Sequence, residues 1–411
     1  HRFLDGVGLC AAYWLTYPMF ILWRFRCRQR FLRIIAILRF FSKICGADIV
    51  AEDYKMSWLT YMVIILALSF FACTIYTIHE GVFLRNDWTV ILQALCMVGS
   101  AVQGLCKFFS LLAKRNTMCL LLSTLDNIYL EYEQKRSGYQ VYLNNTTAMT
   151  KKLLLIISLT YIMVVVVVLS YPLFYRIVYT EKILVMQFLL PGIDYTTEFG
   201  YGLHILAHMS CLSFGAFGNF AGDMYIFLFI IHVPLLKDIL RCKLEDLNEV
   251  IDDLDGTQNR THAILVDIIE WHQKYTVFSE STQQVFFVII FVQIFTSASG
   301  ICCTTFIIFL GVWPAAFAYL IYAFIIFYAY CGLGTVVEIA NDELTLILYT
   351  ECLWYKLPIP EQKMIGFMLN KSHKPTALTV GDIMPLSVST GLQLTKAIYS
   401  YMMMLLNFVE Q

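Results

Sequence analysis

Residues 153–169 read LLLIISLTYIMVVVVVL, 17 positions without a charge, a glycine or a proline. A helix rises about 1.5 Å per residue, so a run of this kind approaches the ~30 Å hydrocarbon core of a bilayer. A strand of a membrane barrel would instead alternate apolar and polar residues over about ten positions. Six more apolar stretches lie to either side of it. Together the seven run over 57–78, 88–110, 153–174, 201–233, 285–309, 313–334 and 382–408. The reading is an all-α membrane protein with seven transmembrane helices. The fourth stretch exceeds what a bilayer needs and is expected to continue into the cytoplasm as helix.

Lysine and arginine set the expected orientation, because cytoplasmic segments are enriched in them. Residues 1–56 and the second-to-third, fourth-to-fifth and sixth-to-seventh connections carry 24, against Arg85, Arg176 and Lys182 on the other side. The N-terminus is therefore expected in the cytoplasm and the C-terminus outside. The connections at 111–142, 235–284 and 336–369 are long, helix-like and expected inside. Four Asn-x-Ser/Thr sequons, at Asn144, Asn145, Asn259 and Asn370, fall on that same side, and the charge bias outweighs this weak pattern. Residues 7–23 form a shorter apolar run whose basic block follows it, the reverse of a secretory signal peptide. Residues 24–41 alternate Arg with Phe, Leu and Ile, as an interfacial helix does.

Composition narrows the function. The 411 residues are 59% apolar and 14% charged, whereas soluble domains carry about 25% charged residues. A net charge of −1 argues against a nucleic-acid partner. Of thirteen cysteines, Cys73, Cys96, Cys106, Cys211, Cys302, Cys303 and Cys331 sit in apolar runs, where the thiol packs as a small hydrophobe. No HExxH, GxSxG or P-loop pattern occurs, so neither an enzyme nor a metal or cofactor is expected. Asp223, Lys396, His204 and His208 are the chief ionisable residues at bilayer depth, too few for an intramembrane protease or a coupled carrier.

Particular residues sharpen this. His204 and His208 have a chelating i, i+4 spacing but no carboxylate or cysteine beside them, which favours a pocket wall or a hydrogen-bonding role. Asp223 reads as a helix-surface carboxylate at the cytoplasmic boundary, with cation steering at an internal mouth as the alternative. In the last stretch Ser389, Gln393, Lys396, Ser400, Met404 and Asn407 recur at the helical period and form one mostly polar stripe. Such a stripe faces other helices or water, not lipid. It is either an interhelical seam or one wall of a pore narrowed by Met404 and Phe408, since a hydrophobic constriction gates by dewetting. Tyr319 and Tyr322, at i, i+3, share a face on which a small polar group can be oriented within a mainly apolar pocket.

The C-terminal quarter carries a recognisable pattern. Trp354-Tyr355, Lys363-Met364, Lys374-Pro375, Leu378-Thr379-Val380-Gly381 and the ending Ala397-Ile398-Tyr399-Ser400-Tyr401-Met402 resemble the insect odorant receptors. Leu190-Pro191-Gly192 and Ala221-Gly222-Asp223 are similar to that family as well. The resemblance spans roughly residues 50–411. It implies a ligand-gated, non-selective cation channel that binds a small volatile odorant and assembles as a heterotetramer with a co-receptor subunit in the plasma membrane of sensory dendrites. It implies an odorant pocket in the outer half of the bundle, matched here by Leu92, Gln93, Val164, Val167, Tyr171, His208, Met209, Leu212, Tyr319 and Tyr322. It also implies a pore at the outer end of the seventh helix, matched by Met404, Asn407 and Phe408. The chain then divides into a cytoplasmic region (1–56), helices one to six with the pocket (57–334), a cytoplasmic anchor connection (335–381) and the pore helix with its extracellular end (382–411). A gustatory receptor of the same topology is the nearest alternative. A G-protein-coupled receptor would need the opposite orientation, and the Asp-Arg-Tyr and Asn-Pro-x-x-Tyr patterns it usually carries are missing.

Overall fold

The computed structural model describes residues 27–411 except 52, 85–88, 187, 253–257, 312, 314, 410 and 411. The apolar run at 7–23 lies outside the described residues. The helices are α1 (Cys27–Ile44), α2 (Trp58–His79), α3 (Thr89–Ala113), α4 (Arg115–Tyr132), α5 (Ser137–Val178), α6 (Glu198–Asp252), α7 (Gln258–Leu310), α8 (Ala316–Thr350), α9 (Ile359–Ser372) and α10 (Val388–Val409). Helices α2, α3, α5, α6, α7, α8 and α10 coincide with the seven expected spans.

By length and composition, five of them can cross a membrane: α2, α3, α5, α7 and α8. The other two, α6 and α10, carry polar residues within their apolar stretches. Helix α6 buries His204, His208, Asn219, Asp223 and His232, and α10 carries the polar stripe. With 55 residues, α6 extends over ~80 Å, more than twice the hydrocarbon core. Its second half is the central post of a helical layer at the basic end of the bundle. There Phe227, Leu228, Phe229 and Ile230 are wholly buried, because a helix apolar on every side must be covered on every side.

Several elements cover that post. Helix α1 presents Phe31, Ile34, Ile35 and Leu38, an i, i+3, i+4, i+7 set, and all four are buried. The sequence suggests an interfacial helix here, yet its apolar face turns into protein: Phe31 stacks on Tyr129 of α4 with ring centroids 4.4 Å apart. Its arginines find carboxylates, Arg28 gripping Asp126 with two bonds of 2.8 and 2.9 Å and Arg39 gripping Asp48 with bonds of 3.0 and 2.9 Å. The Tyr275 hydroxyl of α7 donates to Asn341 Oδ1 of α8 at 2.6 Å, and Trp271 Nε1 of α7 donates to the Leu236 carbonyl of α6 at 2.8 Å.

A small hairpin, β1 (Thr379–Val380) against β2 (Met384–Pro385), turns the chain into α10. Gly381 and Asp382 make its turn in the left-handed region, with φ of 62° and 57°. The hairpin seats closely on α8. A Cβ added at Gly334 would lie 2.0 Å from the Leu386 carbonyl oxygen, so only glycine permits this approach.

Candidate ligand cavity

Between α2, α3, α5, α6 and α8 lies a cavity of about 200 Å³. Its walls are mainly apolar: Ile64, Ala67 and Phe70 from α2, Met97, Ala101 and Leu105 from α3, Val164 and Val168 from α5, and Leu212 and Ala216 from α6. It is long. Its wall on α3 runs from Met97 to Leu111, which at one helical rise per residue is ~20 Å. At the basic end it reaches Ser42 and Ile49, in and just after α1. The start of α2 is tied there by a capping box between Ser57 and Thr60, and the Thr60 hydroxyl donates to the Gly46 carbonyl at 2.6 Å.

Tyrosines form the opposite end. Tyr319 and Tyr322 both line the cavity, their ring centroids 5.8 Å apart, and Tyr322 meets Tyr161 edge-on at 5.0 Å. The Tyr319 hydroxyl donates to the Cys96 carbonyl at 2.8 Å and lies 2.7 Å from Ser100 Oγ. Tyr319 therefore shapes the wall, with its hydroxyl already engaged inside the protein.

The two histidines hold the connection between α5 and α6 over this end. His208 Nδ1 accepts from Met186 N at 3.4 Å, and its Nε2 donates to the Phe188 carbonyl at 3.0 Å. His204 Nε2 accepts from Leu190 N at 3.0 Å, and its Nδ1 donates to the Gly200 carbonyl at 2.8 Å. Each ring is thus a neutral tautomer with both nitrogens used, which leaves no lone pair for a metal. Met186, so fixed, contributes to the cavity lining.

Behind the wall lies an ion pair. Lys107 Nζ is 2.5 Å from Asp223 Oδ1, with side-chain exposures of 3% and 0%. Tyr330 donates to Asp223 Oδ1 and Tyr161 to Asp223 Oδ2, both at 2.6 Å, while Lys107 also donates to Asn219 Oδ1 at 3.1 Å. Asp223 is neither a helix-surface carboxylate nor a charge at a mouth; it is the centre of a buried network joining α3, α5, α6 and α8. Gly222 makes the reach possible, since a Cβ there would sit 2.9 Å from Lys107 Cδ. The Lys107 stem lines the cavity and its charge is tucked behind it. Lys107 is legible in the sequence as a lysine inside the second apolar stretch.

The expected pocket residues separate. Val164, Leu212, Tyr319 and Tyr322 line the cavity. His208 holds the connection above it, Leu92 packs into the core, and Tyr171 lies against Tyr175 at 4.8 Å between ring centroids. Val167 and Met209 are exposed on the outside of the bundle. The side chain of Gln93 lies outside the described residues. On α10, Ser389, Gln393, Lys396, Ser400, Met404 and Asn407 are all exposed, on the face opposite buried Gly391 and Met402. The Phe408 side chain lies outside the described residues.

Comparison with known proteins agrees with this architecture. The family profile described as 7tm Odorant receptor matches residues 87–399. Putative odorant receptor 83c of Drosophila melanogaster is 27% identical over 394 residues, 92% of this chain and 98% of its own length. Odorant receptor 85b of the same fly is 21% identical over 377 residues, 88% of this chain and 94% of its own. The solved structure of the olfactory receptor OR5 from Machilis hrabei has a TM-score of 0.75 at 16% identity, covering 92% of this chain and 99% of that one. Its complex with eugenol has a TM-score of 0.74 at 17% identity, covering 93% and 98%. The structural likeness shows the fold, and the family profile spans well over half the sequence: the chain belongs to the insect odorant receptor family.

Proposed function

We propose that this chain is the odorant-binding subunit of a ligand-gated cation channel, and that the cavity bounded by Val164, Leu212, Tyr319 and Tyr322 is where the odorant sits. The observation that carries the reading is the cavity itself: long, mainly apolar, walled by aromatic rings, with few polar groups, as a small volatile ligand requires. The eugenol complex of OR5 supports it by analogy of fold. The charge count supports a cytoplasmic N-terminus and an external C-terminus, and membership of the family supports a place in the plasma membrane of a sensory neuron. Val164→Trp, which fills the middle of the cavity, is expected to abolish responses to every active odorant while surface labelling stays at the parental level. Normal dose–response curves in that variant would remove the cavity from consideration.

The partner is a co-receptor subunit of the same family in a heterotetramer. The exposed polar face of α10 supports this, because none of the described residues of its own chain covers it. Expressed alone, the chain is expected to give no odorant-gated cation current, and current should appear on co-expression with a co-receptor. Robust current from the lone chain would overturn the assignment.

A further inference from the structure

Most polar groups on the cavity wall are committed within the protein: Thr60 to Gly46, Tyr319 to Cys96, Tyr161 and Lys107 to Asp223, and Asn219 to Ser100. Tyr225 is different. It lines the basic end of the cavity with 3% of its surface exposed, and its hydroxyl has no partner at hydrogen-bonding geometry. Buried polar atoms without a partner are uncommon, because the water they gave up is not replaced. Its polar neighbour is Ser42, which lines the same end, among the apolar side chains of Ile49, Leu111 and Met118.

We propose that this end is a head-group subsite, in which Tyr225 binds a neutral oxygen on an unbranched-chain ligand whose tail runs toward Tyr319 and Tyr322. The inference rests on the cavity being the odorant site and names the class of odorant. Two observations set that class. A cavity of about 150 Å³ takes a benzene ring. Here about 200 Å³ is drawn out along ~20 Å of helix, a narrow space that a chain fills and a compact ring does not. The head is neutral because the nearby charges are already matched, Lys107 by Asp223 and Arg39 by Asp48. Long-chain alcohols, ketones and esters have this chemistry.

The probes are unbranched primary alcohols from hexanol to dodecanol and the corresponding alkanes, bound to the full chain in lipid nanodiscs. Tyr225→Phe removes one hydroxyl and little volume. It is expected to weaken the longer alcohols about 5- to 10-fold, the scale of one hydrogen bond, and to leave the alkanes unchanged. Equal losses for alcohols and alkanes, or no loss for either, would overturn the subsite. Val164→Trp separates the two levels of the argument. If it blocks every probe while Tyr225→Phe changes nothing, only the subsite fails; if the probes still bind, the cavity reading fails as well. Should Tyr225→Phe not fold, Met118→Phe, which narrows the same end, must shorten the preferred chain. An unchanged optimum would then overturn the proposal.

Discussion

Asp223→Ala is expected to destabilise the chain by about 3–5 kcal/mol, because it leaves the Lys107 ammonium buried without a counter-charge. It also orphans the hydroxyls of Tyr161 and Tyr330, which donate to the two carboxylate oxygens. Thermal unfolding in detergent, together with the fraction of chain reaching the cell surface, measures the loss. Lys107→Met is expected to do less harm, since the remaining carboxylate keeps two tyrosine donors. The double variant Lys107→Met with Asp223→Leu should recover most of what Asp223→Ala loses, as replacing a whole buried pair by apolar side chains of similar volume is often neutral or better. Strong non-additivity is the signature of residues acting as one unit. If all three variants unfold at the parental temperature, the pair contributes nothing and its role must lie elsewhere.

The network also bears on signalling. Tyr161 lines the cavity and holds Asp223, while Tyr330 reaches the same carboxylate from α8. An occupant pressing on Tyr161 or Tyr322 therefore acts on the junction of α5, α6 and α8. The double variant, if it folds, separates stability from response: near-parental unfolding with a blunted odorant response would place the pair in the coupling route.

The helices were legible because their signal is local. An uninterrupted run such as 153–169 leaves the backbone few options in a bilayer, and the excess length of the fourth stretch announced the extension seen in α6. The six-residue stripe on the last helix was equally plain, since its period is a property of one element. The cavity was not local in that sense. Val164, Leu212, Tyr319 and Tyr322 come together, but Val167 and Met209 point outward, because a few residues of helix rotation decide which side chains face inward. The burial of Asp223 is hidden in the sequence for a related reason. A lone carboxylate reads as exposed until its cation is found, and Lys107 stands 116 positions earlier on another helix. Tyr225 carried no signal at all, as its importance lies in the hydrogen bond it does not make.

The second large effect is expected on α10, which we propose lines the pore. Its stripe residues face away from every described helix of their own chain, with Met404 49% exposed. Among the described residues they therefore form no interhelical seam. Lysine, glutamine and serine at bilayer depth do not face lipid, so in the assembled channel this face meets either other subunits or water. The family resemblance puts the constriction at its outer end. If the apolar Met404 narrows a water column there, Met404→Ser should wet it and raise resting conductance several-fold, because a polar wall lowers the penalty for filling the gap. Asn407→Asp should favour cations more strongly, and Asn407→Lys should oppose them, by changing the field along the same column. Lys396→Gln should change little, since it lies about three turns inward, where its long stem lets the ammonium find water. Whole-cell currents with the co-receptor, corrected for surface expression, read all four. In a mixed tetramer the co-receptor subunits dilute each change, so the order of effects is the criterion: Met404 and Asn407 large, Lys396 small. Parental gating and selectivity in the Met404 and Asn407 variants would make the stripe a seam between subunits and remove α10 from the pore.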